Sequence, residues 1–330
     1  MNTKKIIIYP ETLTTISGSI HRLKPKYQIF IITLILTGIL IAAGCTDDQY
    51  KTTPGYDNSG TEDDGTIIIF VTIPPQKEMA EAVGGDYITV KTLVPPGADP
   101  HSYEPSPGTL EDISKADAYA IVGSGLETEE NWLDRITGLN PDLKIINCSS
   151  GVKFIASEAE EDDSGETNTN GHADPHIWLS VSNGKIMTEN MKRGFTEIKP
   201  ELRAEFESGA ENYISLLDTL NSEISDKLKE RRGEYILVYH PAWRYFAEEY
   251  GLKTISIEKD GKEPTPAGIK SVIDQAEKYS IKTVLISPQF SIKSAEVIAE
   301  ETGSRVMTAD PLKEEYIENM RTTAEVFSEA

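Results

Sequence analysis

Between Pro200 and Gly233 the apolar residues fall at Leu202, Phe206, Ala210, Tyr213, Leu217, Leu220, Ile224 and Leu228. Steps of three and four place all eight on one stripe of a single α-helix. The pattern predicts a helix of about thirty residues, roughly 45 Å long at 1.5 Å per residue. That is too long for the inside of one small domain, and it reads as a rigid connector between two. The flanking sequence agrees, because short β-branched runs alternate with short helical stretches on both sides.

Upstream, Thr66–Ile73 is a strand stopped by Pro74-Pro75, Gln76–Val83 is helical, and Tyr87–Val94 is a second strand. A short helix at Thr109–Lys115 and strands at Ala118–Val122 and Lys144–Asn147 follow, then a helix at Asn183–Ile198. Downstream, strands at Tyr235–Tyr239, Lys253–Ile257, Thr283–Ile286 and Arg305–Thr308 alternate with helices at Trp243–Tyr250, Ala267–Lys278 and Ala295–Glu301. Such alternation argues for α/β architecture with parallel sheets flanked by helices. The expected organisation is therefore an N-terminal α/β lobe over 66–200, the connecting helix over 201–232 and a C-terminal α/β lobe over 233–330. The stretch 157–171, rich in Glu, Asp, Gly, Ser, Thr and Asn, reads as a structureless exposed loop.

The N-terminus points outside the cytoplasm. Arg22, Lys24 and Lys26 precede an apolar run from Ile29 to Ala43, and Ala42-Ala43-Gly44 precede Cys45. A basic start, an apolar stretch and small residues before a cut site make a secretory leader. The run is shorter than the ~20 residues that span a bilayer. Residues 1–44 are thus read as a signal peptide with a lipobox, Cys45 as the lipidated first mature residue, and 45–65 as a flexible tether. The alternative is an uncleaved anchor that ends in an incidental cysteine. Cys148 then has no partner, which excludes a disulfide framework. Removing the leader's five basic residues and one acid takes the formal charge from −22 to −26. An anionic surface of that size repels nucleic acid and acidic lipid.

Asp-Pro-His occurs twice, at Asp99-Pro100-His101 and Asp174-Pro175-His176, in a chain with five histidines. His240 and Asp310 also precede prolines. Proline fixes its own φ and biases the residue before it towards extended geometry, so a side chain there starts from a stiffened backbone. His101, His176, His240 and Asp310 supply four donors of the kinds zinc takes in tetrahedral sites. His101, His240 and Asp310 each follow a strand, and in open α/β sheets ligands bind at those ends. His172 reads as a loop residue, because Gly171 and Pro175 break the helix that would pair it with His176. Trp178, Trp243 and Tyr245 are expected to form an apolar shell around the ligands.

These stretches also carry a resemblance. Gly84-Gly85-Asp86, Val94-Pro95-Pro96-Gly97-Ala98-Asp99-Pro100-His101, Gly123-Ser124-Gly125-Leu126-Glu127, Asp174-Pro175-His176-Ile177-Trp178-Leu179, His240-Pro241-Ala242-Trp243, Glu263-Pro264-Thr265-Pro266 and Ala309-Asp310-Pro311-Leu312 resemble, in order, the zinc- and manganese-binding receptors of ABC importers (the cluster A-I family). The resemblance implies two lobes joined by one long helix, metal in the inter-lobe cleft, and the same four ligands. It implies Zn2+ as the transported ligand, with Mn2+ as the alternative, a permease and its ATPase as partners, and a monomeric lipoprotein on the outer face of the membrane. Manganese members usually carry glutamate at the third ligand, so His240 favours zinc. The acidic stretch 157–171 departs from the histidine-rich loop that zinc members often have there.

Three other functions compete with a zinc receptor: a manganese receptor of the same family, a surface adhesin with a structural metal, and a zinc hydrolase. A catalytic zinc keeps a position open for water beside a general base. Four protein donors would close the site, and the chain has no His-Glu-x-x-His helix, so the reading is of a carrier and not an enzyme.

Overall fold

The computed structural model describes residues 66–156, 160–161, 167–168, 173–258, 264–290 and 292–330. The leader, Cys45, the tether and His172 lie outside them. In the first half, β1 (Ile67–Val71) leads through α1 (Pro74–Gly84) to β2 (Ile88–Thr92), and α2 (Pro107–Ile113) leads to β3 (Ala118–Ile121). Then come α3 (Glu127–Leu139), β4 (Lys144–Asn147), the two-residue strands β5 (Glu160–Glu161) and β6 (Thr167–Asn168), and α4 (Val181–Ile198). The long helix is α5 (Arg203–Leu228), with a 3-10 turn at each end. The second half runs β7 (Tyr235–Val238), α6 (Arg244–Tyr250), β8 (Lys253–Ser256), α7 (Pro266–Lys278), β9 (Thr283–Ile286), α8 (Ile292–Thr302), β10 (Arg305–Thr308) and α9 (Tyr316–Glu329).

Two four-stranded sheets result, ordered β2-β1-β3-β4 and β10-β9-β7-β8, with every pairing in both parallel. Counted within its own half, each sheet has the same order, second-first-third-fourth. The halves therefore share a topology although no repeat is visible in their residues. Central strands such as Ala118–Ile121 and Thr283–Ile286 are buried at every position, as parallel strands covered on both faces must be. In each sheet the strand order reverses between the first and third strands, and the crevice beyond their carboxyl ends is where such sheets take ligands. In the second sheet those strands are β7 and β9, which run into His240 and Gln289.

α5 buries Phe206, Ala210, Tyr213, Leu217, Leu220, Ile224 and Leu228, the expected stripe apart from Leu202, which is half-buried. It packs on α1 and α4 from the first half and on α9 from the second. One apolar core runs from β1 through α4 and α5 to Trp243, Phe246 and Phe327. The long helix is thus a shared floor as well as a connection. Its approach to α1 is close at Gly209, where a Cβ would lie 2.6 Å from the carbonyl oxygens of Ala82 and Val83.

Two helices escape the sequence reading. α3 starts on Glu127, Glu129 and Glu130 and buries only Thr128, Glu129 and Ile136, so it carries almost no apolar stripe. α9 does carry one, at Tyr316, Met320, Ala324 and Phe327. Within the acidic stretch read as structureless, the described residues of β5 and β6 pair antiparallel. Cys148 is fully buried and free, as its isolation in the sequence suggests.

Candidate metal centre

Three loops bring imidazoles to one point. His101 lies in the turn after β2, His240 follows β7 directly, and His176 begins the 3-10 turn that precedes α4. The Nε2 atoms of His101 and His240 each lie 3.2 Å from Nε2 of His176. The three residues form the one group of metal-ligand type among the described residues, their candidate atoms all within 4.8 Å of one another. Two nitrogens bound to one tetrahedral zinc at 2.0–2.1 Å lie about 3.3 Å apart. The observed spacing is therefore that of ligands around a single ion. The cavity they line holds about 10 Å³ of water-sized space, enough for one ion or one water.

Each ring is oriented by a carboxylate on its far nitrogen. His101 Nδ1 lies 2.7 Å from Glu127 Oε2, His176 Nδ1 2.8 Å from Asp174 Oδ1, and His240 Nδ1 3.2 Å from Glu258 Oε2. A carboxylate only accepts, so each Nδ1 carries the proton and each Nε2 presents its lone pair to the centre. Such outer carboxylates fix the tautomer and raise ligand basicity. Asp174 Oδ1 also accepts from the His176 amide at 2.9 Å, so the Asp-Pro-His triplet contains both a ligand and its orienting group. Asp99 binds the His101 amide in the same way, at 3.0 Å, but its triplet leaves the ring to Glu127.

The surroundings set His176 and His101 apart electrostatically. Burial, reinforced by the neighbouring His240 and His101 rings, pulls the His176 imidazole down further than the Asp174 carboxylate raises it, leaving its pKa at about 4. Burial also acts against a charged His101, but the hydrogen bond and charge of Glu127, with Asp99 and Glu258 behind, carry its pKa above the ordinary value. Glu127 itself is opposed by burial and lowered by the His101 contact. The loop that presents Glu127 is pinned by the buried Glu129, whose oxygens accept from the amides of Val122 at 2.6 Å and Gly123 at 2.9 Å, and from the Thr72 hydroxyl. Burial raises the Glu129 pKa against those bonds. Gly123 has φ +74°, and a side chain there would collide with Asn147, so the turn is confined to glycine.

The His176 segment is fastened to both halves. Ser124 Oγ donates to Pro175 O at 2.6 Å from the first half. From the second, the Tyr245 hydroxyl donates to Asp174 O at 3.0 Å and the Tyr316 hydroxyl to Trp178 O at 2.8 Å, while Trp178 Nε1 donates to Pro311 O at 2.7 Å. Trp178 thus lines the cavity, and Tyr245 braces the His176 segment through the Asp174 carbonyl. Trp243 packs on Phe246 and Phe327 in the core instead. Phe290 stacks on His240 at 4.6 Å between ring centroids.

Of the four candidate ligands, His101, His176 and His240 come together and Asp310 does not join their group. Its Oδ1 accepts from Gln289 Nε2 and from the Leu312 amide, both at 2.9 Å. The sequence reading missed Glu127 and Glu258 as partners of the rings, and Gln289 altogether. Glu127 lay in plain view within Gly123-Ser124-Gly125-Leu126-Glu127, but nothing in its spacing connects it to His101.

Comparison with known proteins places these features in context. A family profile described as "Zinc-uptake complex component A periplasmic" matches residues 69–330. A solved structure of ZnuA superposes with a TM-score of 0.74 at 34% identity, covering 80% of this chain and 99% of that one. The manganese-binding lipoprotein MntA of Halalkalibacterium halodurans is 29% identical over 82% of this chain and 84% of its own length. The zinc-binding lipoprotein AdcA of Streptococcus pneumoniae is 26% identical over 76% of this chain and 51% of its own. The chain thus spans about half the length of AdcA.

Proposed function

Since the chain belongs to the zinc-uptake complex component A family, we propose that it is the extracytoplasmic receptor of an ABC importer, capturing Zn2+ for delivery to a membrane permease and its ATPase. The observation that carries this reading is the convergence of three Nε2 lone pairs at ion-coordinating distance, each ring backed by a carboxylate. Three lone pairs facing one another repel until a cation enters, so the pocket is built for an ion. Three neutral imidazoles suit zinc, whereas manganese favours more oxygen donors. Glu127, Asp174 and Glu258 each give one carboxylate oxygen to holding an imidazole in place. His101 keeps about a fifth of its side chain exposed and marks the way in for the ion.

In this reading the mature protein is a monomer tethered to the membrane by lipid on Cys45, with residues 45–65 as the tether and the two sheets as lobes on either side of the site. Asp310, expected from the sequence as the fourth ligand, has its carboxylate turned to Gln289 and the Leu312 amide and stands outside the three-imidazole group. A manganese receptor is the second reading, supported by the likeness to MntA. Purification without chelator followed by mass spectrometry for metals, with zinc and manganese then competed on the metal-free protein, separates them. Zinc retained at one ion per chain, lost in His240→Ala, supports the zinc receptor. Manganese retained in preference, or zinc binding untouched by His240→Ala, rejects it.

A further inference from the structure

The crevice at the reversal point of the second sheet presents two polar side chains, His240 after β7 and Gln289 after β9. Both line the cavity shared by the three imidazoles, whereas Asp310 does not. Gln289 Nε2 donates to Asp310 Oδ1. Because a carboxylate only accepts, the donor end of the amide must face Asp310, and the carbonyl Oε1 must point away from it. That Oε1 is sealed from solvent and, among the described residues, has no hydrogen-bond partner. A buried carbonyl oxygen without a donor opposes folding unless something in the cavity satisfies it.

We propose that Gln289 is a selectivity residue: its Nε2 holds the Asp310 carboxylate outside the three-imidazole group, and its Oε1 offers the cargo ion a neutral oxygen in that place, directly or through one water. The inference rests on the metal-receptor reading above and adds how the fourth position is decided. With Gln289 present the ion meets three nitrogens and a neutral oxygen. Without it, Asp310 is released from one of its two anchors and can turn in, adding a hard anionic donor of the kind manganese prefers. The amide thereby separates two cargoes that the imidazoles alone would both accept.

A double-mutant cycle tests this. Wild type, Gln289→Leu, Asp310→Asn and the double variant are prepared metal-free, and Zn2+ and Mn2+ affinities are measured by competition with a chelator. Gln289→Leu is expected to shift the manganese-to-zinc affinity ratio at least tenfold towards manganese. Asp310→Asn is expected to cost manganese affinity at least tenfold more in the Gln289→Leu background than in wild type. A smaller ratio shift, or an Asp310→Asn cost that is the same in both backgrounds or larger in wild type, overturns the proposal. If the leucine variant fails to fold, Gln289→Met, of similar length and unable to donate to Asp310, takes its place in the cycle. Wild-type protein that binds neither ion would sink the receptor reading itself, whereas normal binding with an additive cycle sinks only the role of Gln289.

Discussion

Replacing Asp174 by asparagine removes a charge while keeping a hydrogen bond acceptor where it stands. Asp174 Oδ1 accepts from the His176 amide at 2.9 Å and from Nδ1 at 2.8 Å, and an asparagine oxygen can accept both. The imidazole keeps its tautomer and aim, and only the field changes. Adding the 2.8 Å contact, the width of the ring and a metal–nitrogen bond of 2.0–2.1 Å puts the carboxylate roughly 7 Å from the bound ion. At an effective dielectric near 20, suited to a pair with 6% and 4% side-chain exposure, the attraction between one carboxylate and a doubly charged ion at that distance is about 5 kcal/mol. That corresponds to a loss of roughly 3,000-fold in zinc affinity. Glu127 stands at a similar remove from the centre, but half of its side chain is exposed. Water screens it towards the bulk dielectric, where the same arithmetic gives about 1.2 kcal/mol, roughly sevenfold. Chelator competition on Asp174→Asn and Glu127→Gln, with the unfolding midpoint of each metal-free variant as a control, measures both. The reasoning is refuted if Asp174→Asn binds zinc within threefold of wild type, or if Glu127→Gln is the more costly change.

Metal binding requires neutral imidazoles, so zinc affinity should weaken as pH falls through the raised pKa of His101, while His176 stays neutral down to about pH 4. Calorimetry in buffers of different ionisation enthalpy should detect proton release on binding just below the His101 pKa, and release that vanishes in His101→Ala. The metal-free protein should show the opposite partner in its stability: His176 titrates at 6.5 when unfolded and at about 4 when folded, so between those values the unfolded chain binds the extra proton. Its contribution is present above pH 6.5 and is lost as pH falls towards 4, and urea titrations of wild type against His176→Gln should diverge across that window. Gly209→Ala, which drives a methyl group into the carbonyls of α1, should cost about 1–3 kcal/mol. Gly138→Ala in α3 meets nothing within 4 Å and should stabilise by about 0.5–1 kcal/mol, read from thermal or urea unfolding.

The parts of the molecule that were readable in advance are those whose cause is local. The stripe of α5 follows from the 3.6-residue period, and the strands follow from β-branched runs between turns, so both appear within a short window of sequence. The three histidines stood out because their proline neighbours stiffen the backbone, again a local effect. α3 was invisible for the matching reason: its buried face includes Thr128 and Glu129, whose partners Pro100, Thr72, Val122 and Gly123 come from other segments. The pairing of Glu258 with His240 across 18 residues, and of Glu127 with His101 across 26, carries no periodic signature at all.

The sequence by itself determined which side chains could bind a metal, and on which stiff turns they sit, because residue type and proline geometry act within a few positions. Only the tertiary structure decided how many of them meet. At His101 and His240, whether Nε2 or Nδ1 faces the ion depends on carboxylates brought from other segments of the chain. Asp310 stands apart from the three imidazoles, its carboxylate held by Gln289, 21 residues away and brought near it by the parallel pairing of β9 with β10. Those outcomes are set by packing between distant segments, and only the assembled fold places those segments side by side.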